Sequence, residues 1–148
     1  MIDNSTHVSE LAPALMRLMA ELTRKTRALF GDGGLDLTPD QFAVLQALAE
    51  HTDLITQAQL AGELAREKTV VLRQIDSLEK RGLLERVADP DDRRKRGLVL
   101  TDEGRRVHAA AKIIVDRLMT ELVGDMPAEE LRGVVKCLDE IRAKTQSL

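Results

Sequence analysis

Hydrophobic positions along the chain form a series of helical stripes, interrupted once by a short stretch that alternates like a strand. Over positions 8–30 the apolar residues Leu11, Leu15, Leu18, Leu22 and Leu29 recur at helical spacing, widened by Met16 and Met19. They predict a long amphipathic helix that stops at a flexible Gly31-Asp32-Gly33-Gly34 break. A second helix starts with Thr38 as N-cap, Pro39 at the first position and Gln41 three residues after the cap, and it buries Phe42, Leu45 and Leu48. The same capping pattern at Thr56-Gln57-Ala58-Gln59 opens a helix of only about two to three turns, with Leu60, Ala61, Leu64 and Ala65 apolar.

A tight turn at Ala65-Arg66-Glu67 leads into a further helix. Val71, Ile75 and Leu78 form its apolar face, Lys68, Arg73, Gln74 and Ser77 turn elsewhere, and Gly82 ends it. The period then changes to two. Leu84, Arg86 and Ala88 fall on one side of an extended strand, and Leu83, Glu85 and Val87 on the other. Asp89-Pro90-Asp91-Asp92 is turn chemistry, Arg93, Arg94, Lys95 and Arg96 place four cations in a row, and Gly97-Leu98-Val99-Leu100 returns as the partner strand. Thr101-Asp102-Glu103-Gly104 caps a long helix that carries Val107, Ala111, Ile114, Leu118 and Leu122 to about position 123. After a Gly124-Asp125-Met126-Pro127 break, a last helix carries Leu131, Val134, Val135, Leu138 and Ile141 to about position 144.

The expected fold class is mainly α with a small β-hairpin wing (α+β). Two short helices meeting at a tight turn, followed by a hairpin, make a winged helix-turn-helix over 35–101, a DNA-binding domain. The regions 1–34 and 102–148 supply three long apolar stripes, more than one compact winged helix can cover. They are expected to form a dimerisation region with a second copy of the chain. A two-fold homodimer places two reading helices in successive major grooves roughly 34 Å apart, so the expected partner is double-stranded DNA with a pseudo-palindromic operator.

Composition sharpens this picture in places. With 148 residues and 43% hydrophobic content the chain is one domain, or one domain plus an oligomerisation element. Its net charge of -3 is unevenly spread: positions 62–106 hold 12 Lys and Arg against 10 Asp and Glu, a surplus of +2, while the flanks carry -5. No apolar run approaches the roughly 18 residues of a membrane span, and MIDNSTHVSE lacks the order of a signal peptide. No membrane association and a cytoplasmic location are therefore expected.

Single Cys137 excludes an intramolecular disulfide; lying among Val134, Val135 and Leu138, it is expected to be inert packing. His7, His51 and His108 have no second ligand at helical spacing, so no metal is expected within one segment. There is no P-loop, G-x-S-x-G, zinc-finger spacing or paired catalytic carboxylate motif, so no catalytic residues, no cofactor and no enzyme activity are expected.

Several runs resemble the MarR family of bacterial transcriptional regulators. They are LTPDQFAVLQAL (37–48), LEKRGLLER (78–86) and a D-P-x-D-x-R run followed after five residues by L-T-x-x-G, here Asp89, Pro90, Asp92, Arg94, Leu100, Thr101 and Gly104. The resemblance implies a dimeric winged-helix protein that binds operator DNA and represses a neighbouring gene until a small molecule or oxidant alters the dimer. It implies that positions 68–77 lie in the major groove, with Lys68, Thr69, Arg73, Gln74 and Ser77 as candidate contacts. Arg94 would be the wing arginine near the minor groove, Asp92 the acid that fixes it, and Arg93, Lys95 and Arg96 its cationic neighbours. Many relatives have a small hydroxyl residue just before the position of Arg73, where this chain has Val71 and Leu72. The cleft beside the first helix is where such regulators hold effectors. Met16 and Met19 read first as dimer core; with Arg17, Arg24 and Arg27 nearby they also point to an aromatic carboxylate or other apolar anion there. The competing reading is a winged-helix protein–protein adaptor without operator binding.

Overall fold

The computed structural model describes residues 4–148; residues 1–3, which open the N-terminal stretch, lie outside the described residues. The order is α1 (Ser5–Asp32), α2 (Pro39–Glu50), α3 (Gln57–Leu64), α4 (Lys68–Lys80), β1 (Leu84–Ala88), β2 (Arg96–Leu100), α5 (Asp102–Val123) and α6 (Ala128–Gln146). The mainly α class with one hairpin is as the sequence predicts. The chain divides into two compact units, Met1–Ile114 and Val115–Leu148.

In the first unit the core draws on every packed element. Phe30 of α1, Leu45 of α2, Leu60 of α3, Ile75 and Leu78 of α4 and Leu84 of β1 are completely buried, as is Ala111 of α5. Each large apolar side chain removed from water in this way contributes about 1.5–3 kcal/mol. Phe42 is only half-buried, because it bridges elements: it sits edge-on to Phe30 at 5.7 Å and stacks on His108 of α5 at 5.8 Å.

Local chemistry sets the helix ends. Thr38 and Thr56 each accept a hydrogen bond from the backbone N–H three residues on, at 3.1 Å, while Gln41 and Gln59 reach back to the cap N–H. Both predicted capping boxes are therefore present. The glycine-rich stretch does not stop α1 at its first glycine: the helix runs through Gly31 to Asp32 and ends in a hydrogen-bonded turn, with Gly34 left-handed at φ 74° and the Leu35 N–H on the Phe30 carbonyl at 2.9 Å.

The two strands pair antiparallel in a register that sets Leu84 opposite Leu100 and Ala88 opposite Arg96. Arg96 therefore belongs to the strand ladder and not to the cationic tip. Ile55 extends the sheet by one bridge to Leu98, with the Leu98 N–H on the Ile55 carbonyl at 2.9 Å.

Where β2 gives way to α5, the L-T-x-x-G run has a steric reason. The Thr101 hydroxyl donates to the Gly82 carbonyl at 2.6 Å and accepts from the Gly104 N–H at 2.9 Å. Gly104 then packs so tightly that an added Cβ would lie 1.8 Å from the Leu83 carbonyl oxygen.

The helices outside the winged region are different in kind. On α1, Leu15, Leu22 and Leu29 are half-buried, whereas Leu11, Met16, Leu18 and Met19 are exposed. In the second unit, α6 starts after Pro127 with Glu129 and Glu130 in its first turn and ends with Lys144 in its last, charges that suit the helix dipole. None of its residues is buried, and Val134, Val135, Leu138 and Ile141 are exposed. Cys137 is exposed with them, which overturns the expectation of inert packing. Among the described residues no helix is long and apolar enough to cross a membrane.

Candidate nucleic-acid interface

The interface is built on α4, which two turns aim. At its start, Ala65 adopts a left-handed conformation (φ 50°), and the Arg66 N–H reaches the Ala61 carbonyl at 3.1 Å, closing α3 and redirecting the chain. At its end Gly82 (φ 72°) does the same, with the Leu83 N–H on the Leu78 carbonyl at 3.0 Å, and feeds β1. Burial of Val71, Ile75 and Leu78 fixes the rotation of α4 about its own axis. The opposite face is left outward, with Lys68, Thr69, Leu72, Arg73, Asp76 and Lys80 exposed.

Of the predicted reading residues, Lys68, Thr69 and Arg73 are on that face, and neither cation forms an ion pair with a described residue. Gln74 and Ser77 are only half-buried. The Ser77 hydroxyl instead accepts from Gln41 Nε2 at 3.2 Å, and Gln41 Oε1 accepts from Arg81 Nη1 at 3.3 Å, so Ser77 helps fasten α4 to α2.

Arg86 decides the electrostatics of this face. Its guanidinium, only 16% exposed, reaches across from β1 to Asp76 at 2.5 Å and Glu79 at 2.6 Å. Gln57 of α3, with its amide oxygen turned toward the guanidinium, accepts from Nε at 2.8 Å. Burial works against the charge, but the hydrogen bonds and charges of Asp76 and Glu79 outweigh it and raise the arginine pKa further. The acids beside the reading face are thereby held by a cation of the same protein, leaving Lys68, Arg73 and Lys80 on it without an ion pair to a described residue. The sequence pattern assigned Arg86 only to a strand face. Its role depends on the angle at which β1 leaves α4, and only the pair of acids three residues apart hinted at it.

The wing loop holds itself open. Asp89 Oδ1 accepts from the Asp91 N–H at 2.9 Å, Asp92 Oδ1 accepts from the Arg94 N–H at 3.0 Å, and backbone bonds from Lys95 to Asp92 and from Asp89 to Lys95 close the tip. Asp92 thus fixes the backbone of Arg94 and makes no pair with its guanidinium. Arg93, Arg94, Lys95 and Arg96 are exposed and form no ion pair with a described residue. Between the wing and the start of α3 runs a groove of about 450 Å3 lined by Thr56, Gln57, Ala58, Arg86, Arg94, Lys95, Arg96 and Leu98. Thr56, Gln57 and Ala58 were not among the predicted contacts, since nothing in the local pattern of α3 places it beside the wing.

The five α1 residues expected at an effector site, Met16, Arg17, Met19, Arg24 and Arg27, are all exposed. A separate cavity of about 480 Å3 lies beside the end of α2, with His51, Asp53, Leu54, Leu98, Arg105 and His108 in its wall, and none of those five reaches it. Among the described residues no group of three or more His, Cys, Asp or Glu could hold a metal ion.

A model of the MarR family matches residues 35–95, from the approach to α2 through the wing. The transcriptional regulator HosA of Escherichia coli O111:H- is 37% identical over 95 residues, which cover 64% of this chain and 70% of HosA. The chain belongs to the MarR family. Among solved structures, CouR from Rhodococcus jostii RHA1 bound to p-coumaroyl-CoA superposes with a TM-score of 0.80 at 25% identity, over 88% of this chain and 90% of that one. The repressor CouR bound to a 23-mer DNA duplex superposes with a TM-score of 0.76 at 28% identity, over 96% and 99%. Such MarR-family relatives are transcriptional regulators and not enzymes.

Proposed function

We propose that this chain is a sequence-specific DNA-binding repressor that works in the cytoplasm as a homodimer and is released by a small apolar anion. The observation that carries the reading is the charge arrangement. Two separate surfaces, the outward face of α4 and the wing, present cations free of ion pairs, while Asp76 and Glu79 between them are held by Arg86. In this reading 35–101 is the DNA-binding domain and 1–34 with 102–148 the dimerisation region. Lys68, Thr69 and Arg73 meet the major groove. Arg94 enters the minor groove, whose negative potential favours a guanidinium, and Arg93, Lys95 and Arg96 act on phosphates.

The similarity to CouR on DNA supports the partner, and the similarity to CouR on p-coumaroyl-CoA, an aromatic acyl thioester, supports a response to a small-molecule ligand with an aromatic group. Exposed apolar faces on α1 and α6 support a second copy as their cover. On such a dimer Met16, Arg17, Met19, Arg24 and Arg27 supply an apolar wall and cations for an aromatic carboxylate, and binding there favours a spacing of the two α4 helices that no longer fits successive grooves.

The test is fluorescence anisotropy on DNA from upstream of the protein's own gene, across a salt series. Affinity should fall steeply with salt, Arg94→Ala should weaken binding while leaving the dimer intact, and salicylate-like compounds should release the DNA. A protein–protein adaptor would show no operator affinity at any salt concentration. Arg73→Ala should cost about 1–3 kcal/mol at one base pair. A uniform loss across operator variants would move Arg73 to a phosphate.

A further inference from the structure

The apolar stripe that seats α4, Val71, Ile75 and Leu78, is complete without Leu72. That residue lies off the stripe, 41% exposed, and lines an open hollow with Thr69, Arg73, Asp76, Ser77 and Lys80. A single exposed leucine is ordinary on a protein surface. The position of this one is not: it lies in the half of α4 that carries Lys68, Thr69 and Arg73, and the acid one turn further on is held by Arg86. In that setting Leu72 can neither bond a base edge nor meet a phosphate. The one apolar group that a base pair offers in the major groove is the C5-methyl of thymine.

We infer that Leu72 is a specificity-determining residue that selects thymine by packing on its methyl group, alongside the polar contacts of Thr69 and Arg73. Cytosine lacks the methyl and presents an amino donor, and a purine presents polar edges, so each leaves the leucine against polar atoms or water. This rests on the DNA-binding reading above and adds to it the base that α4 prefers.

Duplexes enriched from a randomised pool by the wild-type dimer provide the probe. Each thymine in the enriched duplex is replaced in turn by deoxyuridine, which removes the methyl alone, and affinity is measured by anisotropy at fixed salt. One thymine per half-site should respond, with a loss of about fourfold for one methyl and on the order of 15-fold when both half-sites are changed. Leu72→Ala should abolish that response while retaining thermal stability, since the side chain is outside the core, and Leu72→Met should keep it. Enrichment of a duplex in which no deoxyuridine substitution matters, or in which Leu72→Ala responds as the wild type does, overturns the inference and leaves DNA binding standing. A pool from which nothing is enriched overturns the DNA-binding reading and this inference with it.

Discussion

The winged region and the helices that flank it solve the same problem in opposite ways. Between α2 and the start of α5, apolar side chains from successive elements close on one another until Leu45, Leu60, Ile75, Leu78 and Leu84 are completely buried. Along α1 and α6 the stripes are just as regular, yet Met16 remains 73% exposed and no residue of α6 is buried. Helical periodicity announces a face that wants cover, but it does not say whether the cover comes from the same chain. In the winged region the short, turn-rich connections bring it from the same chain. For the flanks a second copy is the proposed source.

The sharpest break of this contrast is Gly104→Ala. The new methyl would meet the Leu83 carbonyl at a distance no rotamer can relieve, so α5 would have to move off the hairpin and take the Thr101 cap with it. Urea denaturation should show a loss of about 3 kcal/mol or more. An equally conservative change on the exposed glycine Gly31, with nothing within 4 Å of an added Cβ, should cost nothing.

Leu138→Lys tests the other side. Because Leu138 is about half exposed in the single chain, the substitution should leave monomer stability within about 0.5 kcal/mol. If the α6 stripe is the dimer core, it should weaken self-association by about 100-fold, seen by sedimentation as a shift from dimer to monomer. An unchanged dimer would remove α6 from the interface.

Arg86→Met probes the joint between hairpin and α4. It frees Asp76 and Glu79 and should cost about 1–2 kcal/mol of stability, since the carboxylates remain half in water. It should also weaken DNA binding more than that loss explains, because Asp76, one turn beyond Arg73 on α4, and Glu79 would then present unscreened charge to the phosphates. Loss of stability with unchanged affinity would confine Arg86 to a packing role.

These contrasts also mark what the sequence could disclose. The capping boxes at Thr38 and Thr56, the hairpin and its tip, and the Asp89–Gly104 spacing are short-range patterns whose physics is complete within a few residues, so they were legible. Even there, pairing extends the strand to Arg96, which the run of cations had concealed. The long-range facts were not legible. Ser77 turns to Gln41 across 36 positions, Arg86 is placed by the exit angle of β1, and the exposure of Leu72 and Cys137 depends on which neighbours pack against α4 and α6. Helical spacing says which residues share a face; only the packed structure says which of two adjacent faces is turned inward.

The finest test concerns His108, which ties the beginning of α5 into the closed region. Its ring stacks on Phe42, nearly parallel at 10°, and its Nε2 is 2.6 Å from Gln46 Oε1. Burial first, and then the charge of Lys112, lower its pKa from the ordinary 6.5, with Glu50 opposing them only in part. The folded protein therefore binds this proton less readily than the unfolded chain does. The stabilising contribution is fully present above the unfolded value of about 6.5 and is lost as pH falls from there through the depressed folded value. The urea midpoint of the wild type should thus decline on acidification over that window, and His108→Gln, which cannot protonate, should remove this part of the decline while other acid effects persist. A wild type and variant that decline in parallel would mean that the ring takes up its proton without disturbing the contact between α5 and α2, and that the closure of the winged region ends before His108.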